Sequence, residues 1–356
     1  MSLAEKRSNI DKVDLKILEL LKERINLAKE IGKLKAKSKE DIFVPAREKE
    51  IINNLLTKNK GVVPEKAISG VYGEIFSASR NIENPLKIAY LGPKATFTHI
   101  AAIKQFGSSL EFTAKDSIRE VFSDVEKKVV SYGVVPIENS QEGTVNHTLD
   151  MFLNFDVDIV SEIMLEVKHH LLSNHELKEI KKIYTHPHAM AQCRNWIAKN
   201  LPKAELIEVS STTKGAESAS LYHSSAAIAS ELAAKEYDLG IIARNIEDSG
   251  RNYTRFLIIG ESKPKRTGKD KTSLVFSVKH EAGALFSALK SFQDYGVNMT
   301  KIESRPTKLK NWNYVFFVDV QGYIDDEKIR KALKDMEKST GFIKILGSYP
   351  EENDRG

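Results

Sequence analysis

Cysteine is nearly absent. Cys193 is the only one in 356 residues, which excludes an intramolecular disulfide and fits a reducing cytoplasm. Long apolar runs are missing too, and none approaches the roughly 18 residues that a membrane span needs. The opening Ala4-Glu5-Lys6-Arg7 leads into an amphipathic pattern, without the apolar core and cleavage site of a secretory signal. Charge of one sign is scarce, since 54 Lys and Arg face 49 Asp and Glu for a net +5. Neither cysteines nor histidines cluster at metal-ligand spacing. These absences lead to an expectation of a cytoplasmic protein with no metal or cofactor and no membrane partner.

What is present is a globular composition, with 41% hydrophobic and 29% charged residues. The length suits two or three domains. From about Ser8 to Asn81 the pattern is helical, with Ile10, Val13, Ile17, Leu21, Ile25, Ala28 and Ile31 at helix spacing. The first helix is expected to run to about Lys39, a length that suggests helix packing between chains. A second helix follows Pro45, and a third follows Pro64 and ends near Ile82. From Leu86 the period changes. Strands are expected at 87–91, 132–137 and 158–160, alternating with helices at 117–127, 189–199 and 224–235. This alternation marks a mixed α/β sheet. The charged, Gly- and Pro-containing run 260–270 reads as a linker. Residues 272–350 follow a β-α-β-β-α-β order, the ferredoxin-like α+β motif. The strands are expected at 273–278, 298–303, 314–320 and 343–348, and the helices at 284–294 and 326–338.

In the helical module, 17 Lys and Arg stand against 13 Asp and Glu over residues 1–84, nearly all of the chain's surplus. No aromatic residues interleave with these cations as stacking platforms, so nucleic acid is not the expected partner. Arg24 and Lys35 lie 11 residues apart, about three turns, and share a helix face. Arg47 can reach the same place from the next helix. Three converging cations suit a ligand with two carboxylates.

This constellation, with Arg7, Glu48, Ser79 and Glu83, resembles the all-helical chorismate mutase family. The resemblance implies rearrangement of chorismate to prephenate without a cofactor, by holding a reactive geometry and stabilising charge on the breaking ether oxygen. It assigns substrate carboxylates to Arg24 and Arg7, the ether oxygen to Lys35 and the ring hydroxyl to Glu48. Arg7 and Arg24 are 17 residues apart, about 25 Å along a straight helix. They cannot serve one pocket in one chain, so an obligate homodimer, possibly a tetramer, is expected. Two positions depart from the family. Glu83 stands where glutamine is common, and a carboxylate donates a hydrogen bond only when protonated. Mutase activity is therefore expected to rise as pH falls. Val44 replaces an aspartate found in some members.

The middle module carries five polar stretches: Gly92-Pro93-Lys94-Ala95-Thr96-Phe97-Thr98, Val135-Pro136-Ile137-Glu138-Asn139-Ser140-Gln141-Glu142-Gly143, His186-Pro187-His188, Ser210-Ser211-Thr212-Thr213, and Asn252-Tyr253-Thr254-Arg255-Phe256. They concentrate neutral donors at strand ends, where open α/β sheets bind ligands. The set, together with Gln192, resembles prephenate dehydratase over residues 87–260. The family fold is two α/β lobes around a cleft, like a periplasmic binding protein. The reaction implied is loss of CO2 and the ring hydroxyl from prephenate to give phenylpyruvate. Thr254 is expected to assist hydroxide departure, with Glu138, Asn139, Ser140, Thr212 and Arg255 in support. Thr96, Thr98, Gln192, Asn252 and Phe256 are expected to contact substrate. His147, His186 and His188 are given no proton-transfer role, and Cys193 reads as a small core residue.

The C-terminal module resembles the ACT regulatory family through Gly283-Ala284-Leu285-Phe286 and Glu303-Ser304-Arg305-Pro306. Glycine at a helix N-terminus lets backbone N–H groups approach a carboxylate, and Glu303 offers a partner for an ammonium group. Gly283, Ala284, Leu285, Asn298, Glu303, Ser304, Arg305 and Pro306 are the expected effector site, with L-phenylalanine as inhibitor. The expectation is a multidomain, bifunctional enzyme of phenylalanine synthesis. Its parts are a mutase domain at 1–84, a dehydratase domain at 86–261, a linker at 262–271 and a regulatory domain at 272–350. Two other readings stay open: a dehydratase with a helical dimerisation arm, and a non-catalytic small-molecule sensor.

Overall fold

The computed structural model describes residues 2–38, 42–279, 281–306 and 314–352. The chain divides into two compact units, one of residues 1–87 with 106–111 and one of the remainder.

The first unit is helical. Its helices are α1 (Leu3–Ser38), α2 (Pro45–Asn59) and α3 (Glu65–Glu83). Pro45 sits in the first turn of α2, where its missing N–H costs nothing. At 36 residues α1 is about 54 Å long. Only Ala28 and Gly32 of α1 are buried, and residues 2–20 are exposed throughout. Gly32 explains the close crossing with α3: a Cβ there would stand 3.1 Å from Glu83 Cα. The expected end of α1 at Lys39 lies outside the described residues.

The second unit begins with a lobe whose strands are β1 (Lys87–Leu91), β2 (Glu111–Lys115), β3 (Tyr132–Asn139), β4 (Gly143–Thr144) and β5 (Asp158–Glu166). Its helices are α4 (Phe97–Phe106), α5 (Ile118–Glu126) and α6 (Asn146–Asn154). A second lobe follows, with β6 (His170–Leu172), β7 (Lys182–Thr185), β8 (Glu205–Glu208), β9 (Ser225–Ala229) and β10 (Ile241–Ala243). Helices α7 (Pro187–Gln192), α8 (Arg194–Asn200), α9 (Thr212–Leu221) and α10 (Glu231–Glu236) cover it. The chain then returns as β11 (Tyr253–Gly260) between β3 and β5, giving the order β2-β1-β3-β11-β5. The second sheet runs β10-β6-β9-β7-β8. Two adjacent segments therefore cross between the lobes. They are tied by Val167 N to Asn252 O at 2.7 Å and Ile246 N to His169 O at 2.9 Å.

Two expected helices are corrected. Residues 224–235 are the strand β9 followed by α10, not one helix. Ser225-Ala-Ala-Ile-Ala has good helix formers, but it is buried on both faces between β6 and β7, and burial overrides intrinsic propensity. The helix expected at 189–199 breaks at Cys193, whose φ −113° and ψ 13° leave the helical range.

The C-terminal module has β12 (Asp270–Val278), α11 (Ala284–Asp294), β13 (Met299–Pro306), β14 (Tyr314–Gln321), α12 (Glu327–Met336) and β15 (Thr340–Pro350). Its order β13-β14-β12-β15 is that of a ferredoxin-like sheet. β12 starts at Asp270, so the last two residues of the expected linker are strand. One sheet face carries α11 and α12 over Leu274, Phe276, Val318 and Val320. The opposite face places Val275, Val315, Phe317 and Tyr349 in one core with Phe152, Ile159 and Leu257 of the first lobe. This approach is so close that a Cβ on Gly347 (φ +154°) would fall 2.1 Å from Ile159 O. Gly347→Ala is expected to destabilise this unit by about 3 kcal/mol through overpacking. The check is the urea midpoint, and an unchanged midpoint would contradict it.

Candidate active sites

In the helical unit, α1 and α3 bring four expected residues together. Arg24 Nη1 donates to Ser79 Oγ at 2.5 Å, and Lys35 Nζ donates to Glu83 Oε2 at 3.2 Å. Ser79 returns its proton to Ile75 O at 2.8 Å. Arg24 and Lys35, eleven residues apart on α1, thus reach residues only four apart on α3. The Arg24 guanidinium also lies 5.5 Å from the centre of the Phe76 ring. Arg47 is not part of this group. It is exposed and pairs with Glu50 at 2.7 Å, because the facing place on α3 is held by Arg80. That buried arginine donates to Glu48 and to Phe106 O. Burial pushes the Glu48 carboxyl up, although Arg80 opposes the shift. Arg80 was missed by sequence reading, and no spacing distinguishes it from other helical arginines. Arg7 stands exposed on the outer half of α1, too far along a continuous helix to meet Arg24.

In the middle module the strand ends and the two crossing segments form one hydrogen-bonded chain. Asn139 ends β3 and is the cross-strand partner of Thr254 on β11. Asn139 Nδ2 donates to Thr254 Oγ1 at 2.8 Å and to Asn252 Oδ1 at 2.7 Å. Asn252 Nδ2 donates to Gln192 Oε1 at 2.9 Å, and His169 Nε2 lies 2.8 Å from the same oxygen. Gln192 Nε2 reaches Glu142 Oε1 at 3.4 Å. The orientations follow from the partners. Gln141 N and Glu142 N donate to Asn139 Oδ1, which leaves its amide N–H groups for Thr254 and Asn252. Thr254 Oγ1 accepts from Asn139, so its own proton remains available to a substrate oxygen. His169 must carry its proton on Nε2 to satisfy Gln192. Burial holds its basicity below that of an ordinary histidine, so the ring is neutral. Its Nδ1 has no partner among the described residues, and Phe97 packs edge-on at 5.5 Å. His169 lies outside the five polar stretches of the middle module. Its only signal is that it opens the second lobe beside the crossing.

Several expected residues lie elsewhere. Ser140 pins the returning segment, accepting from Tyr253 N at 3.0 Å and donating to Arg251 O. Thr96 caps α4 with His99 N at 3.4 Å, and Thr98 is buried. Thr212 is the first residue of α9, which Ser211 caps. Phe256 is a core residue, 2% exposed, and not a wall of the cleft. His186 caps α7, His188 lies 3.8 Å from Glu142, and His147 is exposed. Cys193 is fully buried, and burial pushes its thiol well up.

Glu138 and Arg255 face away from the cleft, because successive strand residues alternate sides. Glu138 accepts from Lys301 Nζ of β13 at 2.6 Å. Arg255 is buried and donates to Glu162 at 2.7 Å, Asp319 at 2.6 Å and Tyr349 at 3.0 Å. Burial keeps the Tyr349 phenol protonated. Tyr349 therefore donates to Ser273 Oγ at 2.6 Å, which donates to Asp319 Oδ1 at 2.6 Å. Burial alone would raise Asp319, but Arg255 and Ser273 hold it below the usual aspartate range. Lys271 completes the balance on Glu162 at 2.8 Å.

In the C-terminal module, Gly283 takes φ +83° ahead of α11, a left-handed conformation that favours glycine. Ala284 is buried, Leu285 is partly buried, and Asn298 Nδ2 donates to Gln321 at 3.0 Å. The side chains of Glu303 and Arg305 are engaged on the first lobe, with Thr144 at 2.9 Å and Asp150 at 3.0 Å. Ser304 and Pro306 lie on the exposed face of β13.

Comparison with known proteins matches three family models along the chain. Residues 6–84 match the model for chorismate mutase type II, 88–264 that for prephenate dehydratase, and 272–338 that for the ACT domain. A bifunctional chorismate mutase/prephenate dehydratase of Aquifex aeolicus is 51% identical over 354 residues, covering 98% of each chain. One from Pseudomonas aeruginosa is 40% identical, covering 97% of this chain and 96% of its own. A prephenate dehydratase of Arthrobacter aurescens, solved in complex with L-Phe, superposes with a TM-score of 0.69 at 33% identity. That match covers 75% of this chain and 90% of the other. The chain belongs to the bifunctional chorismate mutase/prephenate dehydratases. It is an enzyme of aromatic amino acid biosynthesis that makes prephenate from chorismate and phenylpyruvate from prephenate. No helix among the described residues is long and apolar enough to cross a membrane.

Proposed function

We propose that Thr254 is the acid-side donor of the dehydratase step, and that Asn139, Asn252 and Gln192 hold it and the substrate. The carrying observation is the hydrogen bond from Asn139 Nδ2 to Thr254 Oγ1, in which the threonine oxygen accepts and its own proton is not used. In the reaction, the bond from the ring to its quaternary carboxylate breaks and CO2 departs. The electron pair enters the ring as the bond to the opposite hydroxyl breaks. The leaving oxygen takes a proton and departs as water. Aromatisation drives the step, so donors placed where charge develops on that oxygen are the main contribution required. A threonine is a weak acid, so Thr254 acts chiefly by donating a hydrogen bond, with the proton supplied through solvent.

In the helical unit, Arg24 and Lys35 bind substrate oxygens, with Ser79, Glu83 and Glu48 lining the pocket. Arg7 completes the pocket of a second copy. The outer half of α1 supports this dimer. Ile10, Val13, Ile17 and Leu20 recur there at helical spacing and are 49–65% exposed, an apolar stripe left uncovered within its own unit. Glu83→Gln is expected to remove the rise of mutase turnover at low pH, because an amide donates at every pH. Flat, shared profiles of kcat against pH in both proteins would contradict this.

For the C-terminal module we infer L-phenylalanine as inhibitor, held by the backbone at Gly283–Leu285 and the open face of β13 at Ser304 and Pro306. The ligand carboxylate suits the N–H groups at the start of α11. The domain boundaries that follow are 1–84, 86–261 and 270–350, with a joining segment at 262–269, in a cytoplasmic enzyme. The test supplies chorismate, follows prephenate and phenylpyruvate, and then adds phenylalanine. Prephenate first, phenylpyruvate second and inhibition of only the second step are expected. Failure of phenylalanine to inhibit would remove the effector assignment.

A further inference from the structure

The strand pair that carries Asn139 and Thr254 has a second face. Cross-strand pairing matches Thr254 with Asn139 and Arg255 with Glu138. The first pair looks into the cleft, and the second, one residue away on each strand, looks at the C-terminal module. Both members of that second pair are held by it. Lys301 Nζ lies 2.6 Å from Glu138 Oε2, and Asp319 Oδ2 lies 2.6 Å from Arg255 Nη1. Lys301 and Asp319 are themselves cross-strand partners, on β13 and β14. Two cross-strand pairs in one sheet therefore grip two in the other, cation to anion and anion to cation. A β-bulge falls between Arg255 and Phe256, where a strand can be re-aimed.

The grip extends along β13 at the strand period. Lys301, Glu303 and Arg305 are the less exposed residues of an alternating strand. They meet Glu138, Thr144 and Asp150 in turn, spanning the end of β3, β4 and α6. The turn between β3 and β4 holds Glu142, which touches Gln192. Side chains on alternate positions of a strand share one face, so these three contacts fasten one face of β13 to the segment 138–150. A shift of β13 is thus transmitted to the backbone beside Asn139 without passing through the cleft.

We propose that Lys301 and Asp319 are positioning residues of the dehydratase reaction: through Glu138 and Arg255 they set how Asn139 and Thr254 are presented to substrate. The C-terminal module is on this account part of the catalytic geometry as well as its regulator. This rests on the reading of Thr254 and Asn139 given above.

The decisive variant is Lys301→Met, since that pair is only partly buried and its loss leaves the core intact. In the full-length protein, kcat for prephenate is expected to fall about tenfold to a hundredfold, the range for displacing a reacting group by about 1 Å. KM should change by less than about threefold. Mutase turnover of the same preparation should be unchanged, and Lys301→Arg, which keeps a cation within reach of Glu138, should restore most of the loss. A wild-type kcat in Lys301→Met would overturn the proposal. So would a loss that Lys301→Arg does not restore, or one matched by an equal fall in mutase turnover, since either marks general damage. Thr254→Val separates the two levels. If it retains turnover, the reading of the cleft fails. If it is inactive while Lys301→Met is normal, only the positioning role fails.

Discussion

Thr254→Val is expected to lower dehydratase kcat by about a thousandfold, with KM changing by only a few-fold and chorismate turnover intact. Valine has nearly the shape of threonine, so β11 and its pairing with β3 and β5 are kept. What is lost is one hydroxyl that points into the cleft. Asn139 Nδ2 keeps one N–H on Asn252 while the other loses its acceptor, a stability cost of about 1–3 kcal/mol that leaves turnover of the folded protein to report on the chemistry. The cost in rate falls on the transition state, where a donor to developing charge is worth roughly 10²–10³ in rate. Thr254→Ser, which retains the hydroxyl, should recover a large part. Steady-state kinetics with prephenate decides the matter, and a kcat within a few-fold of wild type would remove Thr254 from the chemistry.

Arg24→Ala is expected to have the complementary effect, a loss of mutase turnover of about a hundredfold to a thousandfold with prephenate turnover within about twofold of normal. Arg24 is the cation joined to Ser79 on α3. Bidentate recognition of a carboxylate is what an arginine supplies and an alanine cannot. Ser79 keeps Ile75 O as its acceptor, so the helix pair is not left with an orphaned hydroxyl. Because both activities reside in one chain, each reports on the integrity of the protein in which the other is lost. Equal loss of both rates in either variant would mean that the substitution acts on folding.

The architecture was legible wherever it depends on local pattern. Helical spacing marked α1 to α3, and the switch near Leu86 marked the start of the sheets. The β-α-β-β-α-β order of the last module followed from alternation and turn residues. The exceptions have one cause. Ser225–Ala229 has a helix-favouring composition yet lies buried between two neighbouring strands, antiparallel to β6 and parallel to β7. The break at Cys193 is a matter of how α7 and α8 meet the same sheet.

Within the sites, the sequence by itself determined which residue types stand at which strand ends: Asn139, Thr254 and Asn252 in the cleft, and Arg24 and Lys35 on one helix face. It also determined that Thr254 and Arg255 point to opposite sides of a strand, since that is the geometry of any extended chain. It could not say which side is cleft and which is interface, because both residues are polar and either could face a ligand or an ion-pair partner. Only the tertiary structure decided that. Packing of the C-terminal sheet on the first lobe claimed Arg255, Glu138, Glu303 and Arg305 as ion-pair and hydrogen-bond partners. It brought Lys301 and Asp319 to the back of the cleft, and the crossing segments brought His169 to Gln192. The physical reason is that periodicity is a property of neighbours in the chain, whereas the partner of a charge is chosen by whatever surface is folded against it.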